Sequence, residues 1–419
     1  MRSEAGSAIA SPNNAEHLLT IDGVGGFRVE HPSAGPDVSE ILADAAARGL
    51  AVAPVGGGTA LGLGNLPERL DCVVSTARLN GILAYEPADL TLSVGAGAYF
   101  AGVQALLSEH GQELPLDVAI PEKATIGGLI ATGLAGPRRL GSGTLRDLLI
   151  GIAVAHPSGT VTKAGGMVVK NVTGFDLPRL YHGSLGTLGI IISANFKILP
   201  VARFESSVLT TFPTLDVALE SAKNVRASRL QPLALEVTGE GANGPWLVAV
   251  RLAGREQSVN LLAAEARTFL GGDAETRSGV ESQAWWKDYT RKQAVDHGAT
   301  DVFLRCTSRP SATATMTHMA MTTIAQHGEL VRCDVSPGLG AVLIRVDLGI
   351  SGGVQVLAAL RNDLLCRAER VTVLAAPSPW KVGLDVWGPP PPGFDVMRSL
   401  KEEFDPHRVL NPGRFAGFL

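Results

Sequence analysis

Two glycine-dense segments constrain this chain more than anything else in it: Pro54-Val-Gly-Gly-Gly-Thr59 and the run from Gly165 to Ile190. Glycine permits positive φ and lets the backbone approach a bulky group closely, and a Cβ prevents both. A short apolar strand over 50–55 leads directly into the first segment, so bare amides gather just past a strand end, where they can converge on an anion. Taken alone, the hexapeptide reads equally well as a simple glycine turn. Two such segments far apart in sequence point instead to one large ligand gripped from two sides.

At 419 residues, with 45% hydrophobic and 18% charged residues, the chain is globular and too long for one core, so two domains are expected. A net charge of −4 gives no basic face for nucleic acid. Cys72, Cys306, Cys333 and Cys366 are scattered with no Cys-x-x-Cys, which excludes a disulfide framework and an iron–sulfur or zinc site within the chain. No uninterrupted apolar run reaches membrane-helix length, and the first residues lack the apolar core of a signal peptide.

The pattern predicts a polar, loosely ordered start over 1–26, then helices over 38–48, 99–110 and 126–134 among strands at 70–75, 91–97, 149–156 and 189–199. The mixture is α+β and not a regular βαβαβ repeat. Pro200 marks a change. Strands at 233–238, 246–252, 301–306, 341–346 and 371–375 alternate with helices at 214–228, 257–270, 312–327 and 354–367. That sequence suits a compact antiparallel sheet backed by helices, a ferredoxin-like second domain. Gly388-Pro-Pro-Pro-Pro-Gly393 is a stiff linker before a last short helix, and no tandem repeat is visible. The expected division is 1–26, 27–200, 201–385 and 386–419.

Neither glycine segment matches the dinucleotide G-x-G-x-x-G or the P-loop, and Gly95-Ala-Gly97 lacks the third glycine. Ala124-Thr-Ile-Gly-Gly-Leu-Ile-Ala131 sets paired glycines at a helix start, where free amides and the helix dipole suit a pyrophosphate; close packing through Gly127, Gly128 and Ala131 explains it as well. Arg146-Asp147 precedes the strand at 149–156 and can equally form a surface ion pair.

In this order the segments resemble the flavin-binding family typified by vanillyl-alcohol oxidase and p-cresol methylhydroxylase. The matching residues are 56–59, Thr-Ile-Gly-Gly at 125–128, Arg146-Asp147 and Gly-Ser-Leu-Gly-Thr-Leu-Gly at 183–189. The resemblance spans about 28–200. It implies a two-subdomain PCMH-type (p-cresol methylhydroxylase) FAD-binding domain followed by a ferredoxin-like α+β cap domain. FAD contacts are implied at Pro54, Val55, Gly56, Gly57, Gly58, Thr59, Pro115, Asp117, Thr125, Ile126, Gly127, Gly128, Arg146, Asp147, Gly186, Thr187, Gly189 and Ile190. Asn411, in the closing Asn-Pro-Gly-Arg segment, is implied to fold back onto the flavin domain. The run 168–180 is similar to the branch that oxidises 2-hydroxy acids, and the chain resembles that branch's FAD-binding subunits of bacterial glycolate-oxidising complexes. Such subunits work beside a homologous catalytic flavoprotein and an iron–sulfur subunit. The resemblance implies a cytoplasmic protein that meets the inner face of the plasma membrane only through its complex.

The chain departs from the family in two places. Relatives that attach FAD covalently use a histidine near the glycine loop; 52–64 contains none, which implies non-covalent FAD. Relatives that oxidise lactate or glycolate carry His-x-Gly-Asp-Gly-Asn before a strand of the second domain. The corresponding 335–345 has neither histidine nor acid, and His318 and His327 lack a metal-binding spacing, so no metal is expected. Arg291, Lys292, Arg305 and Lys381 are available as a carboxylate clamp, and Trp285, Trp286 and Trp380 as pocket walls, with ordinary structural roles as the alternative for each. No base carries a motif. A self-sufficient 2-hydroxy-acid dehydrogenase and a non-catalytic scaffold subunit stay open beside the complex-subunit reading.

Overall fold

The computed structural model describes residues 20–168, 175–241, 243–271 and 273–419. Residues 1–19 of the expected loose start over 1–26, and 169–174 of the 2-hydroxy-acid branch motif at 168–180, lie outside the described residues. The chain divides into two compact units. The first takes the described residues to Leu134, then Thr144–Val201 and Pro389–Leu419; the second takes Ala135–Gly143 and Ala202–Gly388.

The first unit has two main sheets. Strands Arg28–Glu30, Cys72–Ser75 and Val52–Val55 form a parallel three-stranded sheet, with Cys72–Ser75 in the middle. Helix Gly35–Arg48 supports it through Val38, Leu42 and Ala45 and stops at Gly49, whose φ of 68° supplies the left-handed cap. The second sheet is antiparallel and five-stranded, ordered Ile82–Glu86, Thr91–Gly95, Ile190–Lys197, Leu149–Ala155 and Val161–Gly165. Its central strands carry Leu92, Val94, Ile152, Val154, Ala194 and Phe196 into a core closed by helices Phe100–Ser108 and Ile126–Thr132.

The second unit contains one eight-stranded antiparallel sheet. Its order is Glu275–Ser278, Phe204–Phe212, Trp246–Gly254, Ala234–Glu240, Glu329–Ser336, Ala341–Asp347, Asp301–Thr307 and Arg370–Ala375. In chain order each half runs β-α-β-β-α-β, and each has the spatial order 4-1-3-2 of a ferredoxin-like unit. The antiparallel sheet backed by helices is present, and what the sequence did not show is that the ferredoxin-like unit occurs twice in it. Two such halves share one sheet, joined antiparallel through their second strands, with Val237 opposite Val335. The duplication leaves no mark in sequence because each half needs only an alternating pattern, and many residues satisfy it.

The two faces of this sheet differ. Helices Leu215–Ala227, Glu256–Leu270, Thr313–His327 and Val354–Leu365 bury the apolar face over Val208, Val237, Val250, Leu304, Cys333, Val335, Ile344 and Val373. In the first half the other face is polar and lies under helix Val280–Arg291, which the sequence pattern did not announce. Trp286 Nε1 donates to Ser207 Oγ at 2.7 Å, Tyr289 Oη donates to Glu236 at 3.0 Å, and Arg251 stacks 5.4 Å from the Trp286 ring. Trp286 thus lies within this layer, with Trp285 half-buried against it. Trp380 packs on the apolar core, and Lys292 reaches Glu240 at 3.5 Å. His318 and His327 pair separately with Asp216 and Asp363, at 3.0 and 2.8 Å. Among the described residues no three metal-ligating side chains cluster, and no helix is long and apolar enough to cross a membrane.

Candidate cofactor site

The glycine loop leaves the strand Val52–Val55 at Gly56 and runs against the segment that enters helix Ile126–Thr132. A Cβ on Gly56 would strike Thr125 Oγ1, and one on Gly57 would overlap the Lys123 carbonyl oxygen. Gly58 has a φ of 71°, where an L side chain is strained. Both glycine properties are therefore used here, close approach first and positive φ next. Among the described residues, none accepts a hydrogen bond from the amides of Gly57, Gly58 or Thr59. Successive amides left without protein partners, those of Gly57 and Thr59 on half-buried residues, are an anion-binding arrangement.

Helix Ile126–Thr132 corrects one expectation. Its first amides are not free: Ile126 donates to the Ala98 carbonyl at 3.0 Å and Gly127 to the Ala96 carbonyl at 2.7 Å. Gly128 donates to Thr125 Oγ1 at 3.3 Å, the N-cap bond. Gly127 is glycine for packing, since a Cβ would press on Ala96 at 2.8 Å. Gly95 and Gly97 have the same explanation, turned edge-on to the Leu79 and Thr76 carbonyls.

The turn at 183–189 reaches this assembly from the other glycine segment. Gly183 and Leu185 donate to the Ile130 and Ala131 carbonyls, each at 2.8 Å, which ties the turn to the end of the same helix. Leu185 and Gly186 have φ of 53° and 70°, and a Cβ on Gly186 would meet the ring of Pro54. The two glycine segments therefore touch. Thr187 Oγ1 donates to the Ser184 carbonyl at 2.7 Å, and Ile190 pairs with Ala155 as the next strand begins.

The C-terminal segment locks both. Val52 donates to the Val409 carbonyl at 2.7 Å and Asn411 donates back to the Val52 carbonyl at 2.9 Å. Asn411 Nδ2 donates to the Leu185 carbonyl at 2.7 Å. Lys401 Nζ donates to the Thr187 and Leu410 carbonyls, both at 2.9 Å, and to Asp405 at 2.6 Å. Arg414 donates to the carbonyls of Leu61 and Leu63 at 2.6 Å each, fixing the far side of the glycine loop. Sequence reasoning named Asn411 but missed Lys401, Asp405 and Arg414. The available signal was three charged side chains beside a buried-type Val-Leu pair.

Pro115 and Asp117 lie on the run leading to Thr125, which is pinned where Ala101 donates to the Pro121 carbonyl at 2.9 Å. Arg146 and Asp147 are not paired as a surface couple. Asp147 accepts hydrogen bonds from the Thr144 amide at 2.8 Å and the Thr144 hydroxyl at 2.9 Å, capping its own short helix. The Thr144 amide holds this carboxyl below its ordinary value of 3.8. A carboxylate with a lowered folded pKa stabilises fully above the unfolded value and loses that contribution as pH falls through the folded one. Asp147→Ala is expected to lower stability by about 1 kcal/mol at neutral pH and by less below pH 3.8; thermal melts at the two pH values check it. Arg146 is exposed and lies near His182, whose pKa is lowered by burial first and by Arg146 second.

The residues at 54–59, 125–128, 186–190 and 411 are thus brought together from four places in the chain. Close backbone packing through Gly56, Gly57 and Gly186, with amides on the loop that no described residue accepts from, fits a large anionic cofactor.

Comparison with known proteins agrees. Residues 28–165 match the FAD binding domain, and 389–415 match the C-terminal domain of FAD linked oxidases. The chain is 37% identical over 207 residues to glycolate oxidase subunit GlcE of Escherichia coli, covering 49% of this chain and 54% of that protein. It therefore spans about half the length of that relative. It is 25% identical to glycolate oxidase subunit GlcD of Bacillus subtilis, over 90% of this chain and 86% of the relative. Identity to a D-2-hydroxyglutarate dehydrogenase of Xanthomonas citri is 27%, over 91% and 88%. Among solved structures, an alkyldihydroxyacetonephosphate synthase superimposes with a TM-score of 0.69 at 18% identity, covering 92% of this chain and 77% of the other, which shows the fold alone. Residues 28–165 therefore carry an FAD binding domain and 389–415 the closing segment of FAD linked oxidases, so the cofactor that fits this cradle is FAD.

Proposed function

We propose that this chain is the FAD-binding subunit of a complex that oxidises a small 2-hydroxy acid, glycolate to glyoxylate, and that it holds FAD without a covalent bond. The observation that supports the reading is the meeting of the glycine loop, Thr125, the 183–189 turn and Asn411 at one place. Likeness to proteins named glycolate oxidase subunits supports the complex. Gly57, Gly58 and Thr59 would donate their amides to the cofactor's diphosphate. Pro54, Val55, Gly56, Thr125, Ile126, Gly127 and Gly128 would shape the wall behind it. Gly186, Thr187, Gly189, Ile190 and Asn411 would close the opposite side, with Pro115, Asp117, Arg146 and the Asp147-capped turn at its margins. FAD bound here would supply a two-electron acceptor to the complex that oxidises the hydroxy acid.

The partners in this reading are a homologous catalytic flavoprotein and an iron–sulfur subunit, because the scattered cysteines here offer no cluster ligation. The second unit serves as the cap domain. The test uses purified chain and assembled complex. Acid should release intact FAD from the chain. Anaerobic glycolate should leave the isolated chain's flavin oxidised but reduce flavin in the complex. Rapid bleaching of the isolated chain would instead identify a self-sufficient dehydrogenase, and a preparation that never takes up FAD would leave only a scaffold.

A further inference from the structure

The sheet of the second unit treats its buried and half-buried arginines in two ways. Arg251 meets Glu205 at 2.8 Å, Arg332 meets Asp334 at 2.8 Å, and Arg345 meets Asp301 at 2.9 Å. This is the ordinary solution, since a cation taken out of water needs a counter-charge. Arg305 breaks the pattern. It lies on the central strand Asp301–Thr307 of the second half, opposite Thr372, while Arg370 lies opposite Thr307 on the edge strand Arg370–Ala375. Opposite residues of an antiparallel pair share a face, so Arg305 and Arg370 are diagonal neighbours on the face turned away from the apolar core.

A third arginine joins them from far away in sequence. Residues Ala135–Gly143 leave the first unit's sequence to pack within the second. Gly141 donates to the Leu233 carbonyl at 3.1 Å, and Leu140 packs on Gly338 in the turn before strand Ala341–Asp347. Arg139 is thereby brought into electrostatic range of Arg305. Burial first, and then the charges of Arg139 and Arg370, lower the pKa of Arg305. Arg370 spends one nitrogen on the Trp387 carbonyl at 3.1 Å. Glu369, next in the chain, is turned to Arg309 at 3.4 Å. Among the described residues no carboxylate pairs with Arg139, Arg305 or Arg370. In the first half, helix Val280–Arg291 and Glu205 close the polar face; in the second half the acids on that face, Asp301 and Asp334, are taken by Arg345 and Arg332, and neither pairs with Arg305 or Arg370.

We infer that Arg139, Arg305 and Arg370 form an anion-binding site on the second half of the sheet that takes the carboxylate of a small organic acid. Guanidinium groups are planar forks matched to carboxylate oxygens, and converging cations mutually repel until an anion arrives. For the identity of that acid the inference rests on the 2-hydroxy-acid reading above.

The test uses the full chain with its flavin and three probes: glycolate, the non-oxidisable oxalate, and inorganic phosphate. Calorimetric titration should show saturable binding of glycolate and oxalate, at least tenfold weaker in Arg305→Gln and Arg370→Gln. Flavin content should be the same in all three proteins. A thermal melt adds a readout that a merely structural arginine would not give. Without ligand, Arg305→Gln should melt higher than the natural protein, because repulsion is relieved, and oxalate should raise the melting temperature only of the natural protein. Carboxylate binding that is absent, or that survives both substitutions, overturns the site. Binding of phosphate alone, lost in Arg305→Gln, keeps an anion site but removes the hydroxy-acid reading.

Discussion

Gly57→Ala is expected to purify nearly free of flavin, with a flavin-to-protein ratio at least tenfold below that of the natural chain. The first added carbon would occupy the position of the Lys123 carbonyl oxygen, a backbone atom that no rotamer change can move aside. Relief requires displacing 123–125, and that segment holds the bond from Phe100 to the Ala124 carbonyl at 2.8 Å and the Thr125 cap. Forcing a methyl into packed backbone costs about 1–3 kcal/mol where neighbours can adjust, and these neighbours are themselves bonded. Any adjustment also moves the amides of Gly57–Thr59 that would hold the diphosphate. Gly58→Ala is the control. Its Cβ would meet only Leu61 Cδ1, at 3.7 Å. Its left-handed φ adds roughly 1–2 kcal/mol of strain. It should melt a few degrees lower yet keep most of its FAD. Flavin absorbance after gel filtration, with circular dichroism to confirm the fold, separates the two. Stoichiometric FAD in a folded Gly57→Ala protein would remove this loop from the site.

The contrast between these glycines explains what could be read from sequence. Gly57 and Gly186 were legible because close backbone approach excludes every other residue, and the requirement is written at a single position. Strands such as Leu149–Ala155 and helices such as Gly35–Arg48 were legible from apolar spacing. Helix Val280–Arg291 was not, because the surface it covers is polar. Its inward residues are Ser282, Trp286, Tyr289 and Thr290, so the usual apolar stripe is missing. The strand Glu329–Ser336 was hidden for the same reason. Arg332 and Asp334 look like solvent-facing charges, but they are a buried pair. Arg139 was the least legible of all. Nothing in Gly-Pro-Arg-Arg-Leu says that this stretch joins a sheet whose first strand begins at Phe204, because that membership depends on long-range packing and leaves no local signature.

Asp405→Asn is expected to cost about 3–5 kcal/mol of stability, the usual result of removing one partner from a buried ion pair. Asp405 is fully buried; Oδ1 accepts from the Val409 amide at 2.8 Å, and Oδ2 from the Leu410 amide at 2.8 Å and from Lys401 Nζ at 2.6 Å. An asparagine can still accept one amide, but it leaves the Lys401 ammonium buried without a counter-charge. The segment freed is the one that pairs with Val52 and holds Thr187, so FAD retention should weaken together with stability. Adding Lys401→Met removes the orphaned charge and should recover at least half of the loss. The pH dependence has a definite sign. Burial lowers the Lys401 pKa below 10.5, and Asp405 opposes that shift. Without Asp405 the folded value falls further, so over a wider range below 10.5 the unfolded chain holds more protons than the folded one. Stability of the single variant should therefore rise relative to the natural protein as pH climbs from neutrality toward that value. Chemical denaturation at several pH values measures both effects. A gap that stays constant with pH, or a double variant no more stable than Asp405→Asn alone, would show that the carboxylate matters only for the Val409 and Leu410 amides.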